Sequence, residues 1–165
     1  MKSVGISLAF LVLLFLTACQ ATEAPVTEEN PLPSETPQFS IETVNKSLDT
    51  ATQTLCWEEC GNSEAFVNDQ LGDLDNLAQE APSFQVDGQQ NLEVELTTST
   101  QPTRFSYTEY ETDGDSTSIV TENIEEGIIE VTGNASKTYI VGAEWYDEDN
   151  ENLLGSIYTV FTLEH

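Results

Sequence analysis

Alternation of apolar and polar residues with a period of two is the feature that most restricts the fold of this chain. It runs through residues 91–97, 104–110, 137–146 and 156–164. A strand with one buried face requires this pattern, because successive side chains point to opposite sides of a sheet. The chain is therefore predicted to be an all-β protein. The side chains predicted to face the core are Leu92, Val94, Leu96, Phe105, Tyr107, Tyr139, Val141, Ala143, Trp145, Ile157, Phe161 and Leu163.

Turn-forming residues separate these segments. They are Asp87-Gly88, Asp113-Gly114, Gly133-Asn134 and the polar stretch 147–152. Several strands at this spacing are typical of an antiparallel β-sandwich. The sequence shows no internal repeat and no sign of a second domain, so residues 39–165 are predicted to form one domain.

One segment departs from the period of two. Apolar residues recur at helical spacing from Val67 to Ala81, and Asn62 or Ser63 is a candidate helix cap. Gly72 and the neighbouring aspartates disfavour a long helix. The segment is predicted to be either a short helix or a compact loop that covers one edge of the sandwich.

The charge balance excludes two classes of partner. Thirty Asp and Glu residues stand against four Lys and Arg, a net charge of −26. Binding of nucleic acid through a basic face is excluded, because no cluster of cations is present to neutralise phosphates. Polybasic attachment to anionic lipid is excluded for the same reason. The excess acid keeps the domain soluble through mutual repulsion and leaves three alternatives open: a salty or alkaline habitat, attraction of a basic partner, and attraction of divalent cations.

Residues 1–18 have the pattern of a removable leader. Lys2 precedes the apolar stretch 4–16, which is too short for a good transmembrane helix. The leader ends in Leu16-Thr17-Ala18-Cys19, which resembles the lipobox of bacterial lipoproteins. The resemblance implies that a lipid is attached to the sulfur of Cys19. The mature chain would then be anchored at the extracytoplasmic face of a bacterial cell membrane.

Residues 19–38 are predicted to be a tether between this anchor and the domain. The stretch is rich in proline and glutamate. Such a composition buries too little apolar area to offset the entropy cost of ordering.

Three motifs after Thr52 resemble a group of uncharacterised lipoproteins from Bacillus-type bacteria. They are the Cys56-Trp57 to Cys60 element, the turn at 82–88, and a closing hairpin formed by 138–145 and 156–163. The resemblance implies an immunoglobulin-like extracellular domain and a Gram-positive membrane, and it brings no known activity. The chain departs from the group in its acidity and in having threonine at position 54, where the group often has tyrosine.

Cys56 and Cys60 are the cysteines that remain once Cys19 carries lipid. Thiols outside the membrane are usually oxidised, so the pair is predicted to form a structural disulfide if the backbone turns back between them. The alternative is a copper or thiol site. Copper(I) prefers soft ligands, but Met1 is lost with the leader and the single histidine is the last residue, His165.

Asp147, Asp149 and Glu151 occupy positions 1, 3 and 5 of an acidic loop, as in the start of calcium-binding loops. The glycine expected at position 6 is Asn152, and the glutamate expected at position 12 is Tyr158. The loop is therefore either a solvated hairpin turn or a calcium site. In the second case the chain would be a calcium-responsive structural protein, whose melting temperature rises with calcium.

Catalysis has little support in the sequence. No histidine is placed to serve as a base, and no glycine-rich phosphate loop is present. We therefore expect that the chain is not an enzyme and that it holds no resident cofactor.

The function that we favour is a surface binding module for a protein or cell-envelope partner. Tyr110 and Tyr146 are the candidate contact residues, because alternation places each opposite the core face of its strand.

Overall fold

The computed structural model describes residues 32–58, 60–61, 79–86, 90–113, 116–133 and 135–165. Cys19, the predicted leader and most of the predicted tether lie outside the described residues, as do residues 87–89, 114–115 and 134, where turns were predicted. The predicted helix also lies outside them, apart from its end, where residues 79–80 are helical. Within the described part, no helix has the length and apolar character needed to cross a membrane.

The described part of the chain contains ten strands, and the predicted all-β class is confirmed. Strand β5 and strand β9 have the bounds that the alternation predicted. The strands are β1 (Gln38–Glu42), β2 (Ser47–Leu48), β3 (Gln53–Trp57), β4 (Ser83–Gln85), β5 (Asn91–Thr97), β6 (Arg104–Asp113), β7 (Ser116–Asn123), β8 (Ile128–Glu130), β9 (Lys137–Tyr146) and β10 (Leu153–Glu164).

The strands form two sheets that pack against each other, which confirms the predicted sandwich. The smaller sheet has the order β2-β1-β5-β8, with every pair antiparallel. The larger sheet has the order β3-β10-β9-β6-β7, also antiparallel. Strand β4 joins the larger sheet by pairing in parallel with the end of β10. The immunoglobulin-like detail of the prediction stays a prediction.

The main core lies between the two sheets and is built from the alternating residues. On β9, Tyr139 and Trp145 are fully buried, and Phe161 of β10 is fully buried beside them. Ile41 and Leu92 of the smaller sheet are also fully buried and belong to the same cluster. Burial of such side chains stabilises the fold by about 1.5 to 3 kcal/mol each.

Strands β9 and β10 are also covered on their outer face. Ile140, Tyr158 and Val160 form a second buried cluster there, with Leu55 and Ala81 packed against it. The two central strands of the larger sheet are thus buried on both faces. The edge strand β7, in contrast, is exposed at every residue.

The domain begins earlier in the chain than the tether prediction placed it. Leu32 is buried in the main core, and β1 already begins at Gln38. A Cβ added at Gly155 would lie 2.6 Å from Cδ1 of Leu32, so the glycine leaves room for this side chain. The composition of residues 19–38 is typical of a tether, but composition does not reveal that Leu32 can pack against β10, where Gly155 has no side chain.

Candidate functional site

The predicted disulfide between Cys56 and Cys60 is present, with the two Cα atoms 5.4 Å apart. It closes the turn that follows β3. Both sulfurs are joined to each other, so a copper or thiol site would first require reduction. Cys60 is buried against Tyr146 and Leu153, with Cys56 packed at the edge of the same cluster. The bridge therefore ties the end of β3 to the β9–β10 hairpin.

We expect the double variant Cys56→Ser/Cys60→Ser to lose about 2 kcal/mol of unfolding free energy. The loop closed by the bridge is short, which places the loss at the lower end of the usual range. Chemical unfolding of the oxidised parent, the reduced parent and the variant measures it. Reduction should destabilise the parent and leave the variant unchanged, and an equal response of the two proteins would contradict a stabilising bridge.

The acidic loop is the turn of the β9–β10 hairpin, and its first carboxylate is already engaged. Asp147 accepts hydrogen bonds from the backbone amides of Glu151 and Asn152, at 2.8 and 3.2 Å. The side-chain amide of Asn152 also donates to Asp147 at 2.6 Å, and this bond is the main reason that the pKa of Asp147 lies below its usual value. Asn150 has a left-handed backbone, with φ of 57°. The residues thus build a tight turn.

Within the described residues, no group of three or more His, Cys, Asp or Glu side chains is arranged to hold a metal ion. The three predicted calcium ligands, Asp147, Asp149 and Glu151, all lie in the exposed turn. Only the carboxylate of Asp147 among them makes hydrogen bonds within the loop. Calcium binding at this loop stays a prediction.

Tyr146 is buried, contrary to the expectation that it is a spare aromatic on the surface. It is 8% exposed. Its hydroxyl donates to Glu144 at 3.0 Å, and the guanidinium of Arg104 lies 5.5 Å from its ring centre. Alternation correctly places Tyr146 on the outer face of its strand, but Cys60 and Leu153 cover that face. Tyr146 therefore stabilises the hairpin.

Alkaline pH is expected to destabilise the domain through its tyrosines. Burial, followed by the charge of Glu144, raises the pKa of Tyr146 to about 12. Burial likewise raises the pKa values of Tyr107, Tyr139 and Tyr158. The unfolded chain releases these protons near pH 10, before the folded chain does, so stability is complete below about pH 10 and falls as the pH rises towards about 12.

Unfolding free energies measured at about pH 8 and about pH 11 test this dependence. Tyr146→Phe is the matched control, because it keeps the ring under Arg104 and removes one titrating hydroxyl. The decrease in unfolding free energy from about pH 8 to about pH 11 should be smaller in Tyr146→Phe than in the parent. A parent whose stability is the same at both pH values would contradict the expectation.

Tyr110, the other candidate contact residue, lies on the outer face of β6 and is half-buried. Its partner across the sheet is Ile119 of β7. Ile119 is 54% exposed and Val120, on the other face of β7, is 42% exposed. The structure therefore brings Tyr110 beside an exposed apolar residue on an edge strand, whereas Tyr146 lies in a separate buried cluster.

An acidic cleft of about 900 Å³ opens between the two sheets, at the side where β7 and β8 are the edge strands. Its lining includes Glu122 of β7, Glu125 and Glu126 of the following turn, and Glu130 of β8. The hydroxyl of Tyr107 donates to Glu122 at 2.7 Å and so fixes one of these carboxylates. Sequence reasoning missed the cleft, because β7 lacks alternation and β8 has only 3 residues.

A second charged group lies farther along the inner face of β6. Nζ of Lys137 lies 2.7 Å from Oε1 of Glu109 and 3.6 Å from Oε2 of Glu111. Glu109 also accepts a hydrogen bond from the hydroxyl of Tyr139 at 3.2 Å. Lys137 is buried. The charge of Lys137 is therefore balanced by Glu109 and Glu111 inside the fold, and it does not neutralise the carboxylates of the cleft.

Comparisons with models of known protein families, with curated proteins and with solved structures give no match.

Proposed function

We propose that this chain is a membrane-anchored extracytoplasmic lipoprotein and that its sandwich domain is a non-catalytic binding module. The anchor is argued from Leu16-Thr17-Ala18-Cys19, which resembles a lipobox. The binding role rests on one observation, the exposed edge strand β7 that borders the acidic cleft. A lipid at Cys19 would hold the domain at the membrane surface, with β7 available to a partner in the envelope.

Site-specific crosslinking in cells tests the binding role. A photoreactive amino acid is placed at Ile119 in the full, lipid-anchored chain. The matched control carries the same amino acid at Val44, which is 83% exposed in the turn between β1 and β2. We expect a discrete crosslinked product from position 119 and none from position 44. Equal products from both positions, or none from either, would contradict a binding module centred on β7.

Lipidation is tested separately by Cys19→Ser. The parent should incorporate a labelled fatty acid and remain with the membrane fraction. The variant should do neither, because the acceptor sulfur is missing. A variant that still incorporates label would overturn the anchor at this position.

A further inference from the structure

Within the described part of the chain, the outer edge of β7 carries a regular row of backbone groups that pair with no other strand. The amide of Ile124, just after the strand, donates to the carbonyl of Phe105 in the β6 ladder at 2.9 Å. Bonds of this kind recur at every second residue of an antiparallel pair, so the intervening residues of β7 point away from β6. Among the described strands β7 pairs only with β6. The residues whose amides and carbonyls face the free edge are Thr117, Ile119, Thr121 and Asn123.

Apart from the charge of Glu122, strand β7 lacks the features that usually protect an edge from pairing. It has 8 residues, no lysine and no proline, and its register with β6 is unbroken. The other edges in the described part of the chain are shorter or interrupted. Strands β2, β8 and β4 have 2, 3 and 3 residues, and β3 meets β10 across a register shift. A long regular edge of this kind is a ready template for another strand.

The side chains of β7 offer apolar contact on both faces. Ile119 lies on the outer face beside Tyr110, and Val120 lies on the inner face beside Glu109. Both are large hydrophobic residues and both are exposed. An added strand places alternate side chains on the two faces, so it can contact both residues while its backbone pairs with the edge.

The charges beside this edge select the chemistry of the added strand. Glu122 lies on β7 itself, and Glu125, Glu126 and Glu130 line the adjoining cleft. Three Lys and Arg residues lie in the described part of the chain. Lys137 is buried against Glu109, and Lys46 donates to the carbonyl of Gln85. Arg104 lines the cleft, but it pairs with Glu144 at 3.1 Å. A strand that carries lysine or arginine would therefore find uncompensated carboxylates. A second copy of this chain would bring another large excess of acid to the same place.

We infer that the free edge of β7 accepts an extended polypeptide rich in lysine or arginine as an added strand, with its cations over the acidic cleft. This inference rests on the proposed binding function and names the class of partner. Backbone hydrogen bonds to the edge provide the pairing. The carboxylates on the inner side provide the preference for a cationic sequence.

Binding of three synthetic peptides to the full, lipidated chain in detergent tests the inference. The first alternates lysine and valine over 8 residues, the length of β7. The second has glutamate in place of lysine. The third keeps the lysine–valine sequence but is N-methylated at alternate amides, which removes the edge donors without changing charge. We expect the first peptide to bind, the methylated peptide to bind at least about tenfold more weakly, and the glutamate peptide to show no binding.

Two variants place the site on β7. Ile119→Pro removes an edge-facing amide and spares the ladder with β6, so the fold should persist while the lysine–valine peptide loses at least about tenfold in affinity. Ile119→Lys keeps the amide and adds a cation to the edge, and it should weaken binding even if the proline variant fails to fold. Val44→Lys is the matched control and should bind as the parent does. The affinity of the parent should fall as salt is raised.

The outcomes separate the inference from the proposed function. Equal binding of the methylated and unmethylated peptides would overturn strand addition. Equal binding of the lysine and glutamate peptides would overturn the cationic preference. Dimerisation that is lost in Ile119→Lys, without peptide binding, would make a second copy the occupant and overturn the inference. In each of these cases, a crosslink from position 119 in cells would still support the proposed binding function. If no crosslink forms there, both the binding function and the strand-addition inference are wrong.

Discussion

Trp145→Ala is expected to lower the free energy of unfolding by about 3 to 5 kcal/mol. Trp145 is fully buried near the end of β9, a central strand of the larger sheet. Its ring meets Trp57 edge to face at 5.4 Å between ring centres, and its indole N–H donates to the carbonyl of Thr100 at 3.1 Å. Alanine leaves a large cavity and an unpaired carbonyl. Such a loss is a large share of the 5 to 15 kcal/mol that stabilises a typical domain.

Urea unfolding followed by far-ultraviolet circular dichroism measures this loss. Trp145→Phe should cost less, because it retains an aromatic ring and removes chiefly the indole donor. Val44→Ala is the surface control and should change stability by less than about 0.5 kcal/mol. A Trp145→Ala variant that loses less than about 1 kcal/mol would show that the two sheets do not enclose this residue as described.

Lys137→Met is expected to destabilise the domain by about 3 kcal/mol at neutral pH. The lysine side chain is 7% exposed and lies between Glu109 and Glu111. Methionine preserves most of the volume, so the loss comes mainly from leaving two carboxylates without their cation. Because the side chain of Glu109 is 17% exposed, water can solvate part of its charge once the lysine is gone. The expected destabilisation is therefore at the lower end of the range for breaking a buried ion pair.

The same substitution at an exposed lysine is the matched control. Lys46 donates to the carbonyl of Gln85 at 3.0 Å on the surface, and Lys46→Met should cost less than about 1 kcal/mol. The Lys137→Met/Glu109→Gln double variant should recover part of the loss, because it removes a stranded charge. Equal losses at the two lysines would contradict a buried ionic group.

The alternation of apolar and polar residues predicted the strands at the centre of the fold, but it did not predict the edge strand β7. Strand β5 and strand β9 matched their predicted bounds because one face of each is buried in the main core. Strand β7, with the sequence STSIVTEN, is exposed on both faces, so no periodic pattern was available to reveal it. It pairs with β6, the strand directly before it in the chain. The cleft, however, depends on the place of β8 beside β5, and these two strands are far apart in sequence.

The two candidate tyrosines illustrate the same limit at the level of single residues. Alternation assigned Tyr110 and Tyr146 each to the face opposite the core face of its strand, and in the structure both lie on the outer face of the larger sheet. What covers an outer face depends on segments far away in sequence. Cys60 and Leu153 cover Tyr146, whereas Tyr110 lies beside the exposed Ile119. The Cys56–Cys60 bridge was predictable because it needs only a local turn.

Amide hydrogen exchange along β7, measured in the full chain, tests the free edge most directly. Before any peptide is added, the amides of Thr117, Ile119, Thr121 and Asn123 should exchange faster than those of Ser118, Val120 and Glu122, which face β6. The lysine–valine peptide should slow exchange at the four edge-facing amides and leave β10 unchanged. Protection of these four amides in the free protein, or no change on adding the peptide, would contradict an open edge that binds a strand.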